Sequence, residues 1–175
     1  GEEIGMRDVP IPSDELQDPQ GKNMPDKNLS RDPARTPMQW ENVLNAGFTH
    51  GKPWLQLDSR YHRLNVQIQK NDPYSMLTLY RKLIELRQSE KSLLMGSYKP
   101  IHSDHQMIAY LRQFEEEPGF LIILNLSHRP CYFSTTRIKL SGKIEIAASP
   151  ELEGSIVNEK VNLSGDEGII IRLFP

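Results

Sequence analysis

The chain has one cysteine, Cys131, among its 175 residues, so no internal disulfide can staple it and its core must come from packing alone. A single thiol fits a reducing compartment and makes a cytoplasmic location the expectation. Long apolar runs are also missing. Stretches such as Phe120 to Leu124 fall well short of the roughly 20 residues that span a bilayer, so no membrane partner is expected. Nor is there an excess of one charge. Lysine plus arginine number 21 against 23 for aspartate plus glutamate, which leaves no basic footprint for nucleic acid or an anionic surface. The chain opens on Gly1 rather than methionine, so the lack of a visible targeting signal excludes no compartment. Length and composition describe a globular chain of one ordinary or two small domains.

Proline is unevenly spread, with eight of thirteen in residues 1–73, where few runs repeat at either 2.0 or 3.6 residues. So long an irregular stretch is uncommon inside a compact domain. Met38, Trp40, Phe48, Trp54, Leu55 and Leu57 supply apolar anchors that a flexible linker lacks. The expectation is an ordered excursion packed against something else. Residues 72–90 change character. Asn71 or Asp72 is placed to cap a helix beginning at Pro73, and Met76, Leu77, Tyr80, Leu83, Ile84 and Arg87 share one helical face. Gly96 is a natural stop. From Ser97 the pattern predicts strands over 98–102, 107–114, 120–126, 131–134, 143–147, 160–163 and 168–174, separated by turn-forming stretches. Seven such strands suggest an antiparallel sandwich.

Several clusters invite chemical readings. Glu2-Glu3 is a carboxylate pair, but neighbours on a strand point to opposite faces and cannot flank one bond, so a peripheral role fits better. His102-Ser103-Asp104-His105 matches no standard metal spacing and reads as a solvated turn. Cys131 has no nearby base or cation and reads as an inert thiol. Trp40, Phe48, Trp54, Tyr61 and Tyr74 could form a sugar platform, although scattered aromatics in a proline-rich segment more often pin a loop. Glu115 to Glu117 reads as a charged hairpin tip. The segment from Arg31 to Trp40 is more pointed: Arg31 and Arg35 flank Asp32 between prolines. Guanidinium forks suit carboxylates or vicinal hydroxyls. Spacing alone favours an internal Arg–Asp brace.

Gly1-Glu2-Glu3-Ile4-Gly5-Met6, the string Arg31 to Trp40, Asn45-Ala46-Gly47-Phe48 and Pro53-Trp54, in that order, closely resemble the α-glucosidase branch of glycoside hydrolase family 13. Asn65-Val66, Tyr80 to Arg87 and Gly96-Ser97-Tyr98 continue the match. In that family a (β/α)8 barrel carries catalysis and an antiparallel β domain follows it. The resemblance therefore implies an α+β fragment. Residues 1–96 would be the C-terminal end of the barrel, a long active-site loop plus the last barrel helix. Residues 97–175 would be the antiparallel β-sandwich domain.

By resemblance, Arg31 holds the non-reducing glucose, bonding sugar hydroxyls and a neighbouring carboxylate. Gln20 falls in the loop lining the leaving-group side, where isomaltose-cleaving relatives tend to carry an acidic residue, and its neutrality leans toward α-1,4 substrates. Asp32 and Arg35 remain the structural brace. No catalytic residue is assigned. The aspartate nucleophile, glutamate acid/base and second aspartate of the family come from earlier barrel strands, and none of their motifs is present. A retaining mechanism needs two carboxyl groups about 5–5.5 Å apart, so the chain alone should hydrolyse nothing. The implied function is the C-terminal part of a retaining α-glucosidase acting on short α-glucosides of the maltose or isomalto-oligosaccharide type. An isomerising relative (a trehalose or sucrose isomerase) is the alternative, as is a non-catalytic homologue or β module. No cofactor or metal ligand is expected in these residues. The expected partners are an α-glucoside oligosaccharide and, within the same molecule, the upstream barrel.

Overall fold

The computed structural model describes residues 1–175, the side chain of Arg137 excepted. The chain divides into two compact units, Gly1–Tyr80 and Arg81–Pro175.

In the first unit regular structure is short. Helix α1 spans Pro19–Asn23 and α2 spans Val66–Lys70, with single 3-10 turns at Glu2–Ile4, Pro25–Lys27, Asp32–Ala34, Leu44–Gly47 and Ser59–His62. The Glu2-Glu3 pair thus lies in a 3-10 turn rather than on a strand. A few small or aliphatic side chains are buried, chiefly Ile4, Ala46 and Leu55. Four of the five aromatics expected to pin this segment do not do so: Trp54 is 61% and Tyr74 74% exposed, and Trp40 and Phe48 are also exposed, whereas Tyr61 is half-buried. Buried polar side chains hold the backbone instead. Gln69 joins distant points by donating to the Ile4 carbonyl (2.7 Å) and accepting from the Leu77 N–H (3.1 Å). Asn65 caps α2 by accepting from the Ile68 N–H at 2.9 Å. A backbone with no ladder must find its partners this way.

The stretch Asn45-Ala46-Gly47 turns left-handed at three successive residues, with φ of 53°, 54° and 69°. The Trp40 and Glu41 N–H groups both donate to the Ala46 carbonyl, at 2.9 and 3.0 Å. Ala46 is fully buried, so the position combines a small side chain with a conformation that larger or branched residues resist.

Helix α3 covers Met76–Ser89, starting three residues later than the sequence pattern predicts. Asp72 begins a turn, accepting from the Tyr74 N–H at 2.9 Å, and Ser75 supplies the cap by accepting from the Thr78 N–H at 3.2 Å. The expected apolar face is buried only in part: Leu77 is buried and Tyr80 and Leu83 are half-buried, whereas Met76, Ile84 and Arg87 are exposed. The chain breaks at Glu90, resumes as α4 over Lys91–Leu94, and closes with the Gly96 N–H on the Lys91 carbonyl at 3.1 Å. A Cβ at Gly96 would overlap the Ser92 carbonyl oxygen and lie 2.8 Å from the Gln113 carbonyl, so Gly96 permits close passage as well as a stop.

The second unit is built on eight antiparallel strands: β1 Ser97–Ser103, β2 Met107–Gln113, β3 Phe120–Asn125, β4 Cys131–Ser134, β5 Gly142–Ala147, β6 Ile156–Val157, β7 Lys160–Leu163 and β8 Gly168–Leu173. Six form one sheet in the order β1-β2-β3-β8-β5-β6, and β4 pairs with β7 as a separate ribbon. All seven expected strands are present within a residue or so, and the two-residue β6 is additional. The arrangement departs from an even sandwich because the second layer is only a ribbon. Alternation along β3 and β8 sends Leu121, Ile123, Ile169 and Ile171 to the core shared with Phe133, Val161 and Leu163 of the ribbon. Phe120, Ile122 and Ile170 go to the opposite face, where Leu86 and Leu93 pack. The edge strand β1 is mostly exposed and carries Lys99, Pro100 and an irregular register between Pro100 and His102, features that discourage pairing with another chain.

At the β1–β2 turn, Asp104 accepts from the N–H groups of Gln106 and Met107, both at 2.7 Å, and from His102 Nε2 at 3.0 Å. The histidine-rich turn is therefore a carboxylate-capped hairpin. These bonds lower the Asp104 pKa to about 2, so its support is complete above the ordinary carboxylate range and fades as pH falls toward that value.

Arg172 ties the helices to the sheet. Its Nε meets Glu145 Oε1 at 2.6 Å, its Nη2 meets Glu90 Oε1 at 2.6 Å, and its guanidinium lies 4.8 Å over the Phe120 ring. Arg172→Ala would leave Glu90 and Glu145 without their shared cation. The expected loss is about 2 kcal/mol in chemical unfolding; a change within 0.5 kcal/mol, about that of a neutral surface substitution, would contradict this role.

Candidate functional site

Arg31 and Asp32 lie where the two ends of the loop from Gln17 to Asp32 come together, and Gln20 lies three residues into that loop. Asp18, which the sequence reading did not single out, is the hub. Its Oδ2 accepts from the Arg31 backbone N–H at 2.9 Å and from Arg31 Nε at 3.0 Å, while its Oδ1 accepts from Arg31 Nη2 at 2.6 Å. Asp32 completes a reciprocal arrangement, its Oδ2 accepting from the Gln17 N–H at 2.6 Å and the Asp18 N–H at 2.8 Å. Each carboxylate therefore caps the backbone of the other's segment. The expected Asp32–Arg35 brace does not form. Asp32 binds backbone rather than a guanidinium, and Arg35 contributes only its backbone N–H, to the Asp32 carbonyl at 2.9 Å. The salt bridge in this corner is Arg31 to Asp18.

Electrostatics follow the geometry. The hydrogen-bonded Arg31 guanidinium holds the Asp18 carboxyl far below the usual carboxylate range, and the pair raises the Arg31 pKa in return. Burial pushes the Asp32 pKa up, but the hydrogen bonds from the Asp18 and Gln17 N–H groups and from Ser30 outweigh it and the net shift is downward. Both carboxylates are buried, whereas the Arg31 side chain is 57% exposed. Its Nε and Nη2 edge is occupied, and among the described residues no acceptor is bonded to Nη1. Gln20 is exposed on α1, two residues beyond Asp18. Buried Gly21 closes the loop, since a Cβ there would lie 2.6 Å from the Ser30 Cβ.

A third buried carboxylate in this unit, Asp58, forks with Arg60, whose Nε lies 3.0 and 2.9 Å from the two carboxylate oxygens. The Arg60 bond is the main cause of the lowered Asp58 pKa. An open hollow of about 590 Å³ with a mixed polar and apolar lining is bounded by these residues with Arg7, Asp8, Gln56 and Leu57. The only sequence signals for these hubs were that Asp18 precedes a proline and that Asp58 precedes Ser59-Arg60. In the second unit, half-burial pushes the Cys131 thiol pKa up, as befits an inert thiol. Among the described residues, no group of three or more His, Cys, Asp or Glu side chains could hold a metal ion. Among the described residues, no helix is long and apolar enough to cross a membrane.

Residues 1–96 match the family model described as the alpha amylase catalytic domain. The chain belongs to the alpha-amylase family. Its relatives within that family include the oligo-1,6-glucosidase of Bacillus cereus, 36% identical over 193 residues, covering 99% of this chain and 34% of that protein. The rat amino acid transporter heavy chain SLC3A1 is 31% identical over 180 residues, covering 98% of this chain and 25% of its own length. Among solved structures, the trehalulose synthase MutB of Pseudomonas mesoacidophila superposes with a TM-score of 0.89 at 27% identity, covering 99% of this chain and 34% of that one. The chain spans about a third of the length of the curated relatives it matches.

Within this alpha-amylase family segment, the corner can present donors to a neutral oxygen ligand but holds no pair of free carboxylates. Its integrity depends on ionised Asp18 and Asp32, whose depressed pKa values place the sign: support is full above the ordinary carboxylate range and is lost only as pH falls below it. Amide hydrogen exchange should therefore show the Gln17, Asp18 and Arg31 N–H groups still protected at about pH 4, close to the unperturbed aspartate pKa. Loss of that protection on descending from neutral pH to pH 5 would contradict the geometry.

Proposed function

We propose that this chain is the C-terminal part of a retaining α-glucosidase of the alpha-amylase family that acts on short α-glucosides. Residues 1–96 are its closing barrel segment and residues 97–175 its antiparallel β domain. The family match ending at residue 96 supports the division, as do the exposed Trp40, Leu44, Trp54 and Tyr74 of the irregular segment. So many exposed large apolar side chains are expected of a surface that another part of the molecule covers. The upstream barrel is that partner, and it carries the catalytic carboxylates that this chain lacks. A cytoplasmic location belongs to the same proposal.

The observation that carries the reading is Arg31: one edge of its guanidinium is bonded to a buried carboxylate, its side chain is 57% exposed, and no acceptor among the described residues is bonded to Nη1. Such a fork suits vicinal sugar hydroxyls. Gln20 forms part of the leaving-group wall, and Asp32 braces the loop backbone. The likeness to a trehalulose synthase favours one second reading. In an isomerising enzyme the same covalent glucosyl intermediate is captured by a sugar instead of water, and product analysis separates the two. A non-catalytic role, as in a transporter heavy chain, would show no turnover at all.

In the protein comprising this chain and its upstream barrel, Arg31→Ala should lower kcat/KM on maltose or isomaltose at least tenfold, about 1.4 kcal/mol of transition-state stabilisation. Unchanged kinetics would remove Arg31 from the substrate site.

A further inference from the structure

We propose that Asp18 is the positioning residue for Arg31, setting which edge of the guanidinium is offered to the sugar. The inference rests on the sugar-binding role of Arg31 given above.

An arginine guanidinium has five N–H donors in one plane. Asp18 takes two of them, the Nε–H at 3.0 Å and one Nη2–H at 2.6 Å. The remaining three, two on Nη1 and one on Nη2, lie in the same plane along its other edges and point away from Asp18. A half-exposed arginine without such a grip would be spread over many rotamers, and a sugar would have to order it on binding. Here the orientation is set beforehand. The grip is itself rigid, because the Asp18 side chain is fully buried. Its Oδ2 also takes the Arg31 backbone N–H, so both ends of the arginine are referred to one carboxylate. Asp32 in turn fixes Asp18 through the Asp18 N–H at 2.8 Å.

The pairing also selects the chemistry of the ligand. Asp18 offsets the charge of Arg31, so the free donors suit neutral hydroxyl oxygens better than a phosphate, which favours a full unpaired charge. Preorganised donors of this kind act most on the transition state, where small displacements cost much of the rate.

The test is a double-mutant cycle in the protein comprising this chain and its upstream barrel, using Asp18→Asn, Arg31→Ala and both together. Maltose or isomaltose is the substrate, with kcat and KM resolved and Tm recorded. Asp18→Asn should lower kcat/KM at least tenfold when Arg31 is present and less than twofold in the Arg31→Ala background. Equal losses in both backgrounds would show that Asp18 supports only the fold and would overturn the proposal, as would no loss beside an intact Arg31. If Arg31→Ala itself changes nothing, the sugar-binding reading fails first, which is a separate result. Should Asp18→Asn not fold, Asp18→Glu keeps the charge and shifts the guanidinium by about 1.5 Å, one carbon–carbon bond. It should retain its Tm and still lose at least tenfold in kcat/KM; wild-type kinetics would overturn the proposal.

Discussion

The Asp18 carboxylate is the point on which the irregular first unit turns. It joins residues 13 apart in sequence, caps a backbone N–H and holds a guanidinium, all while removed from solvent. Asp32 returns the favour across the same gap. Long segments without helix or sheet ladders leave many backbone groups to satisfy, and water is not available where the chain is buried. This family segment answers with carboxylates and amides placed at the necks of its loops. Asp58, Asn65, Gln69 and Ser75 repeat the device farther along. A loop held in this way can be long and still present one side chain in a defined orientation, which is what a sugar-binding arginine requires.

The second unit relies on a different constraint. Strand β3 is buried on both faces, and its alternating side chains feed two separate apolar clusters. One cluster is closed by the two-stranded ribbon and the other by Leu86 and Leu93. Such a central strand must be apolar throughout, unlike the half-exposed strands beside it. Arg172 reinforces this scheme from β8, where it gathers Glu90 and Glu145.

The strands of the second unit were legible because period-two alternation and turn residues mark them locally: 131–134 and 160–163 are placed to the residue. The two-residue β6 was not, since Ile156–Val157 offers no alternation to detect. Helix α3 was legible as a helix, but its start lies three residues later than its pattern suggests and its apolar face is buried only in part. Asp72 and Ser75 are equally good caps on paper, and Met76 and Ile84 look like core residues until their exposure is seen. In the first unit, propensity had little to say. The motifs drew attention to Arg31, Asp32 and Arg35, yet the partner of Arg31 proved to be Asp18. A contact spanning a loop carries no periodic signature, and spacing alone favoured the nearer, incorrect pairing of Asp32 with Arg35. The aromatic anchors failed for a related reason. Trp54 and Tyr74 are apolar enough to be buried, and the proposed barrel is the surface that would bury them.

The most direct test of this account is a crystal structure of the protein comprising this chain and its upstream barrel, with an unhydrolysed α-glucoside bound. The account predicts the free Nη1 edge of Arg31 within hydrogen-bond distance of a sugar hydroxyl, with Nε and Nη2 still on Asp18. A sugar bound without Arg31, or a guanidinium that has left Asp18 to reach it, would contradict the central claim.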